Sequence, residues 1–265
     1  IVVLERSKYV SYANCGLPYH LGGVIEHRDA LLLQTPEGLH ARFDLDVRVG
    51  TEAVAIDPIA QTVTARNVAS GELTTLSYDA LVLSPGAETI KPPIPGIDLA
   101  MPLRTVEDMD ALIERVGRKP KHVTVIGGGF IGVEVVENLR HLDIEVTLVE
   151  AASQVLAPID PEMVKTVEDV MRRNGIDLRT NAQAAAIEQG AVVLADGSRI
   201  ETDLVVLAIG FATCGASLAV ASSGGELEPA EVEALLDPLG GVPHLGDVGV
   251  GEDGLSCGDG GGNPL

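Results

Sequence analysis

Two stretches carry residues that could do chemistry. The first is Ser11-Tyr12-Ala13-Asn14-Cys15-Gly16-Leu17-Pro18-Tyr19-His20, which holds one of the chain's three cysteines. Ser11 and Asn14 are helix-capping types, and Pro18 fits a helix only in its first turn, where a missing N–H costs nothing. Cys15 is therefore expected at or beside a helix N-terminus. Free amides and the positive end of the helix dipole there favour a thiolate, the nucleophilic form of sulfur. The plainer alternative is a small buried apolar side chain, the fate of most free cysteines. His20 offers either an acid–base partner or a packing residue.

The second stretch is Gly127-Gly128-Gly129-Phe130-Ile131-Gly132. It follows the apolar run His122–Ile126 and opens a helical pattern through about Leu142. A further strand pattern, Glu145–Glu150, ends in an acid 23 residues after Gly127. Strand, glycine turn, helix and acid together make the dinucleotide fingerprint, which the glycines alone would not. Gly127 permits the tight turn, Gly129 lets a pyrophosphate approach the backbone, and Gly132 packs helix on strand. The helix N-terminus offers amides to phosphate. Glu150 can accept the ribose hydroxyls; it would repel a 2′-phosphate, and no Arg follows it, so NADH is favoured over NADPH. Glu134 falls near where a nicotinamide would lie, or is a solvated helix acid.

These residues need elements to hold them. Ile1–Leu4 reads as a buried strand ending at Glu5, and Gly22-Gly23 close the short cysteine helix. A helix or loop over Arg28–Glu37 turns at Thr35-Pro36. Short strands are expected at Val47–Val49, Ala53–Ile56 and Gln61–Val68. Tyr78 to Gly86 reads as a fully buried strand that ends in a turn at Ser84-Pro85-Gly86. Pro92, Pro93 and Pro95 make a stiff connection to a helix over Val106–Val116. Pro161–Asn174 reads as a helix, Ala191–Ile200 as a hairpin around Asp196-Gly197, and Asp203–Gly210 as another buried strand.

The two halves look like repeats. Glu5 and Glu150 each end an apolar strand, and Asp79 and Asp203 each open a run that stops at a glycine seven residues on, Gly86 and Gly210. By symmetry the first half expects its own glycine turn before Ile1, about 25–30 residues of strand and helix. The expected fold is α/β, with two Rossmann-like dinucleotide-binding domains, three-layer parallel sheets and small antiparallel inserts. The expected divisions are 1–102, 103–218 and 219–265, the last an aberrant return segment with twelve glycines after residue 223 and one short helical pattern, Ala230–Leu236.

Composition narrows the function. A net charge of −21 without a basic cluster argues against nucleic-acid or anionic-membrane partners. Trp is absent, so the cores must be aliphatic, as in buried parallel sheets. Three cysteines do not make a disulfide scaffold and fit a reducing cytoplasm. No apolar run is long enough to span a bilayer. Two dinucleotide frames and one cysteine suggest a relay from nicotinamide to flavin to sulfur.

The stretch Ser11–Tyr19 resembles the active-site segment of the single-cysteine flavoprotein disulfide reductases, in the branch of coenzyme A disulfide reductases and NADH-dependent polysulfide reductases. Arg28–Glu37, Leu83-Ser84-Pro85-Gly86-Ala87 and the Gly127 turn extend the resemblance over Ile1 to Gly210. It implies an FAD-dependent reductase of coenzyme A disulfide or persulfide/polysulfide that oxidises NADH and works as a homodimer. Cys15 is then the redox nucleophile, and Ser11 and Asn14 contact the coenzyme A side of the substrate. Glu5 binds the FAD ribose; Ser84, Pro85, Gly86, Gly210 and Asp247 approach the cofactor. Gly127 to Gly132 with Phe130 and Ile131, together with Glu134 and Glu150, serve NADH. Departures are Phe43, next to Arg42 where some relatives place a basic coenzyme A contact, and Phe211-Ala212-Thr213-Cys214 in place of a proline turn. Gly258-Asp259 is a poorer counterpart of Gly246-Asp247, and Cys214 and Cys257 have no motif. Two alternatives stand beside this reading: an NADH oxidase or peroxidase cycling Cys15 through sulfenic acid, and a nucleotide-binding fragment without turnover.

Overall fold

The computed structural model describes residues 1–213 and 219–222, the residues from 211 onward by backbone alone. In chain order the elements are β1 (Val2–Glu5), β2 (Ser11–Tyr12), α1 (Leu17–Leu21), β3 (Leu32–Gln34), α2 (Pro36–Phe43) and β4 (Asp46–Val49). There follow β5 (Thr51–Asp57), β6 (Thr62–Asn67), β7 (Leu73–Ser77), β8 (Ala80–Leu83), β9 (Ala87–Thr89), β10 (Met101–Pro102) and α3 (Val106–Gly117). The second half runs β11 (His122–Ile126), α4 (Phe130–His141), β12 (Glu145–Val149), α5 (Pro161–Arg173) and β13 (Ile176–Arg179). It continues through β14 (Ala184–Glu188), β15 (Ala191–Leu194), β16 (Arg199–Glu201), β17 (Leu204–Leu207), β18 (Phe211–Thr213) and β19 (Ala219–Ser222).

The chain divides into two compact units, one of residues 1–51 and 87–212, the other of residues 52–86 and 213–265. The first is built around a five-stranded parallel sheet in the order β10-β17-β11-β12-β13. Parallel neighbours need crossover connections, which is why the sequence alternates strands with α4 and α5. Both faces are covered, so its strands read as unbroken apolar runs. Val123, Val125, Val146 and Leu148 face a core with Val135, Val136 and Leu139 of α4, Met109 and Leu112 of α3, and Val164 of α5. Ile126, Val149, Val205 and Leu207 face Ile187, Val192, Leu194 and Ile200 of the three-stranded antiparallel sheet β14-β15-β16. The expected three layers are present, with an antiparallel sheet on one face. Each fully buried Leu or Val contributes about 1.5–3 kcal/mol. Helix α3 starts on a capping box: the Thr105 hydroxyl accepts from Asp108 N at 3.1 Å, and the Asp108 carboxylate accepts from Thr105 N at 2.9 Å.

The amino-terminal part of this unit is thinner. Among the described residues strand β1 pairs, in parallel, with β4 alone, and Ile1 and Val2 are exposed, so the expected buried strand is only half-covered. The turn expected at Thr35-Pro36 is the start of α2: the Thr35 hydroxyl caps Gly38 N at 3.1 Å, and Pro36 takes the first helical position. In the second unit β5, β6 and β7 form one sheet, with β6 and β7 antiparallel. Strand β8 pairs antiparallel with β19. It alternates exposed and half-buried residues, with Val82 58% exposed, and is not the fully buried strand its composition implied. An apolar run records residue type, not how many layers cover it. Ala230–Leu236 lies outside the described residues.

Candidate active site

Cys15 is exposed and unpaired, in a short 3₁₀ turn, Asn14–Gly16, that runs directly into α1. The expected capping does not occur. Ser11 lies in β2, paired with Gln34 of β3, while Ala13 and Gly16 hold the cap positions without a side-chain bond. The segment is fixed by backbone and packing: Ala13 N donates to the Leu31 carbonyl at 2.8 Å, and Leu17, Leu21 and Leu31 are buried. A Cβ at Gly16 would come within 2.5 Å of Leu31, so the residue after the cysteine must be small. Pro18 sits in the first turn of α1, as its missing N–H requires. The expected close of the helix is found: Gly22 ends it and Gly23 follows at φ +78°. His20 Nδ1 donates to the Ile25 carbonyl at 2.5 Å, which ties the ring to its own loop.

Helix α1 packs on α3 and α4. Tyr19, half-buried, has its phenol held above the ordinary tyrosine range, chiefly by the Glu134 carboxylate, then by burial, Glu137 and Cys15. Glu134 of α4 is itself pushed up by burial and by Glu137. Cys15 and Glu134, from separate motifs, thus share one electrostatic neighbourhood through Tyr19. A second link is Arg28. Its guanidinium donates to both carboxylate oxygens of Asp110 on α3, at 2.8 and 2.7 Å, and to the Tyr9 hydroxyl at 2.6 Å, and stacks 5.0 Å above the Tyr9 ring. Sequence reasoning uses Arg28 only as part of a resemblance and misses this clamp, because Tyr9, Arg28 and Asp110 lie up to 101 positions apart.

The glycine turn has the local geometry that its spacing implies. Gly127 adopts φ +109°, and a Cβ there would meet the Ala208 carbonyl oxygen at 2.4 Å. A Cβ at Gly132 would meet the Gly127 carbonyl oxygen at 1.9 Å, so α4 can approach the turn only as glycine. A Cβ at Gly129 would meet nothing within 4 Å; that position faces open space. Gly129 is the N-cap of α4, with no side-chain cap bond and no acid in the first turn. The leading amides of α4 thus have no capping side chain and no acid in their own first turn, which suits a phosphate. Phe130 is exposed at the start of α4, and Ile131 packs on the core. Glu150 follows β12; its Oε2 accepts from Gly128 N at 2.6 Å and its Oε1 from Ala152 N at 2.7 Å.

Glu5 repeats half of this pattern. It ends β1, and its Oε1 accepts from Ser7 N at 2.6 Å, two residues on, as Glu150 does with Ala152. Gly210, at φ +127°, accepts from Ile90 N at 3.0 Å. Ser84, Pro85 and Gly86 are exposed and follow β8 in the second unit. Asn14 is exposed beside Cys15. Arg42 stacks on Phe43 at 5.0 Å, so the aromatic side chain occupies the cation beside it. Cys214, Gly246-Asp247, Cys257 and Gly258-Asp259 lie outside the described residues. Among the described residues no cluster of three His, Cys, Asp or Glu could hold a metal, and no helix is long and apolar enough to cross a membrane.

Residues 1–230 match the family model for pyridine nucleotide-disulphide oxidoreductases. The chain belongs to that family. A coenzyme A disulfide reductase of Staphylococcus haemolyticus is 31% identical over 211 residues, covering 79% of this chain and 48% of its own length. Reduced CoADR-RHD of Bacillus anthracis is similar in structure, with a TM-score of 0.78 and 49% identity over 80% of this chain and 39% of that one. An NAD-dependent persulfide reductase from A. fulgidus gives a TM-score of 0.74 and 35% identity over 80% of this chain and 41% of that one. This chain spans about half the length of the curated relatives it matches. The family resemblance read from Ser11–Tyr19 and the glycine turn therefore holds, as does the two-domain α/β fold class.

Proposed function

We propose that this chain belongs to an FAD-dependent enzyme that oxidises NADH and reduces coenzyme A disulfide or a persulfide/polysulfide at Cys15. The observation that carries the reading is the exposed Cys15 on a segment packed against α4, the helix that opens at the glycine turn. Residues 1–102 then serve FAD and the cysteine, residues 103–218 serve NADH, and residues 219–265 return to the FAD part. The homodimer and the cytoplasmic setting belong to the same proposal.

Gly127–Gly132 suits a pyrophosphate at the open Gly129 and the uncapped amides of α4. Glu150, held by two backbone amides, keeps lone pairs for the two ribose hydroxyls, and its charge disfavours a 2′-phosphate. Glu5, at the end of β1, then serves the FAD ribose, and Ser84, Pro85, Gly86, Gly210 and Asp247 serve the flavin side. Phe130 and Ile131 belong to the turn that receives NADH, and Glu134 serves the nicotinamide end. The flavin, when bound, supplies the conversion between hydride transfer and thiolate chemistry.

The chain's own step is nucleophilic. The Cys15 thiolate attacks one sulfur of the substrate disulfide, forms a mixed disulfide and expels the other sulfur as a thiolate. An electron pair delivered to the Cys15 sulfur then breaks the mixed disulfide and releases the second thiolate. Ser11 and Asn14 flank the cysteine on the coenzyme A side. The test is thiol release with NADH against coenzyme A disulfide and polysulfide, with Cys15→Ser as the control. Release that survives Cys15→Ser removes this cysteine from the reaction. NADH-dependent oxygen uptake that matches NADH consumption, with no thiol released, replaces the reductase with an oxidase.

A further inference from the structure

Two consecutive glycines end α1, and they are glycines for different reasons. Gly23 has φ +78°, and a Cβ placed on it would meet nothing within 4 Å, so its backbone conformation demands the residue. Gly22 has φ −78° and ψ −4°, which any residue can adopt. What forbids a side chain there is α4. A Cβ at residue 22 would lie 2.2 Å from Asn138 Oδ1, 2.7 Å from its Cβ and 2.8 Å from its Cγ.

Asn138 cannot move aside easily. It is 2% exposed, and its Nδ2 donates to the Glu134 carbonyl one turn earlier at 2.8 Å. Its neighbours Val135, Val136 and Leu139 are all buried and apolar. Asparagine is a weak helix former, and a back-bonded polar side chain inside a core costs more than an alanine or leucine would. The polar side chain is disfavoured by its own surroundings, and the backbone of residue 22 does not itself require glycine. Their contact with one another is what the two choices share.

We propose that Asn138 is a positioning residue for Cys15: its contact with Gly22 sets how closely the cysteine-bearing segment lies on α4. The proposal rests on the reading of Cys15 as the redox sulfur. The same contact orders the residues between the two motifs. Tyr19 lies three residues before Gly22, and Glu134 lies four residues before Asn138. Glu134 is the largest influence on the Tyr19 phenol, and Cys15 also acts on it. A displacement of α1 from α4 therefore changes the distance from sulfur to the Glu134 end of α4, while the glycine turn keeps its own bonds to Val149 and Glu150.

The experiment uses the flavin-loaded protein with Gly22→Ala, Asn138→Ala and the double variant Gly22→Ala/Asn138→Gly. In Gly22→Ala, kcat for thiol release should fall about tenfold or more, because small misplacements are costly in a reacting pair. NADH-driven ferricyanide reduction and the KM for NADH should stay within about twofold. A readout independent of turnover is the alkylation rate of Cys15 by iodoacetamide, followed on its own peptide to separate it from Cys214 and Cys257. It should change by about threefold or more in Gly22→Ala and in Asn138→Ala, and return toward the parent value in the double variant. Unchanged alkylation in Asn138→Ala overturns the proposal, as does a folded double variant no better than Gly22→Ala. Absence of thiol release in the parent protein overturns the reductase reading instead, and the alkylation series still decides the contact.

Discussion

Glu150 accepts the Gly128 amide at 2.6 Å, so the acid after β12 is bonded to the turn that opens α4. Its second oxygen accepts from Ala152 N at 2.7 Å. Two backbone donors fix the carboxylate before any ligand arrives, and charge-assisted bonds of this kind contribute about 1.5–3 kcal/mol when made to a ligand. Glu150→Ala should therefore raise the KM for NADH about tenfold, equivalent to about 1.4 kcal/mol. It should leave the KM for NADPH unchanged or lower, since the repulsion of a 2′-phosphate goes with the charge. Steady-state kinetics with both nucleotides check this. A parallel rise for both would mean that the turn itself had collapsed.

The Arg28 clamp gives a stability prediction. Asp110 is held below the usual carboxylate range, first by its hydrogen bonds from Arg28. Arg28 also bonds Tyr9, and both partners of the ion pair are partly shielded. Arg28→Met keeps the aliphatic stem and removes the fork; it should destabilise the protein by about 1–2 kcal/mol near neutral pH. A lowered acid contributes stability above its unfolded value, about 3.9, and loses it as pH falls through the folded value. The gap between parent and variant should thus close in acid. Urea midpoints at two pH values measure it.

Much of the first unit's parallel sheet is legible in the sequence, because local rules and global packing agree there. The run His122–Ile126, the turn Gly127–Gly132 and the acid Glu150 each predict the others, and β11, α4 and β12 follow within a residue or two. The likeness between Glu5 and Glu150 extends to their bonds, each to an amide two residues on. Helix α2 is signalled by Thr35-Pro36-Glu37, a cap and a first-position proline, yet its apolar residues are too few to mark a buried face. The caps expected of Ser11 and Asn14 fail because strand pairing claims Ser11 and a 3₁₀ turn claims Asn14. The Gly22–Asn138 and Arg28–Asp110 contacts join residues 116 and 82 positions apart, and no periodicity spans such distances.

Glu134 runs the opposite way to Asp110. Burial and Glu137 both push its carboxyl up. A raised acid costs stability once pH rises through its folded value, so the charged form is the unfavourable one at neutral pH. Glu134→Gln should stabilise the protein by about 0.5 kcal/mol at neutral pH, kept small because water still screens the group. No gain should remain at a pH below the unfolded value, about 4.3. Thermal unfolding at both pH values checks the sign. A loss of stability at neutral pH would mean that the carboxylate has a donor it needs.

Asp203 ties the beginnings of two central strands together. Its Oδ2 accepts from Lys121 N at 2.7 Å and from His122 N at 3.1 Å, where β11 starts beside β17. These two backbone bonds, that from His122 first, hold its carboxyl below the usual range. The side chain is exposed, so screening keeps the effect near the low end for charged hydrogen bonds, about 1 kcal/mol for Asp203→Ala. The sign is that of a depressed acid: the contribution is complete above about pH 4 and disappears as pH drops through the folded value. Asp203→Asn keeps one acceptor oxygen and should lose about half as much, without the pH dependence. Hydrogen exchange at the Lys121 and His122 amides gives the local test. Both should speed up in Asp203→Ala while the amides of β12 stay protected, and unchanged exchange would show that the strand start is held by β17 alone.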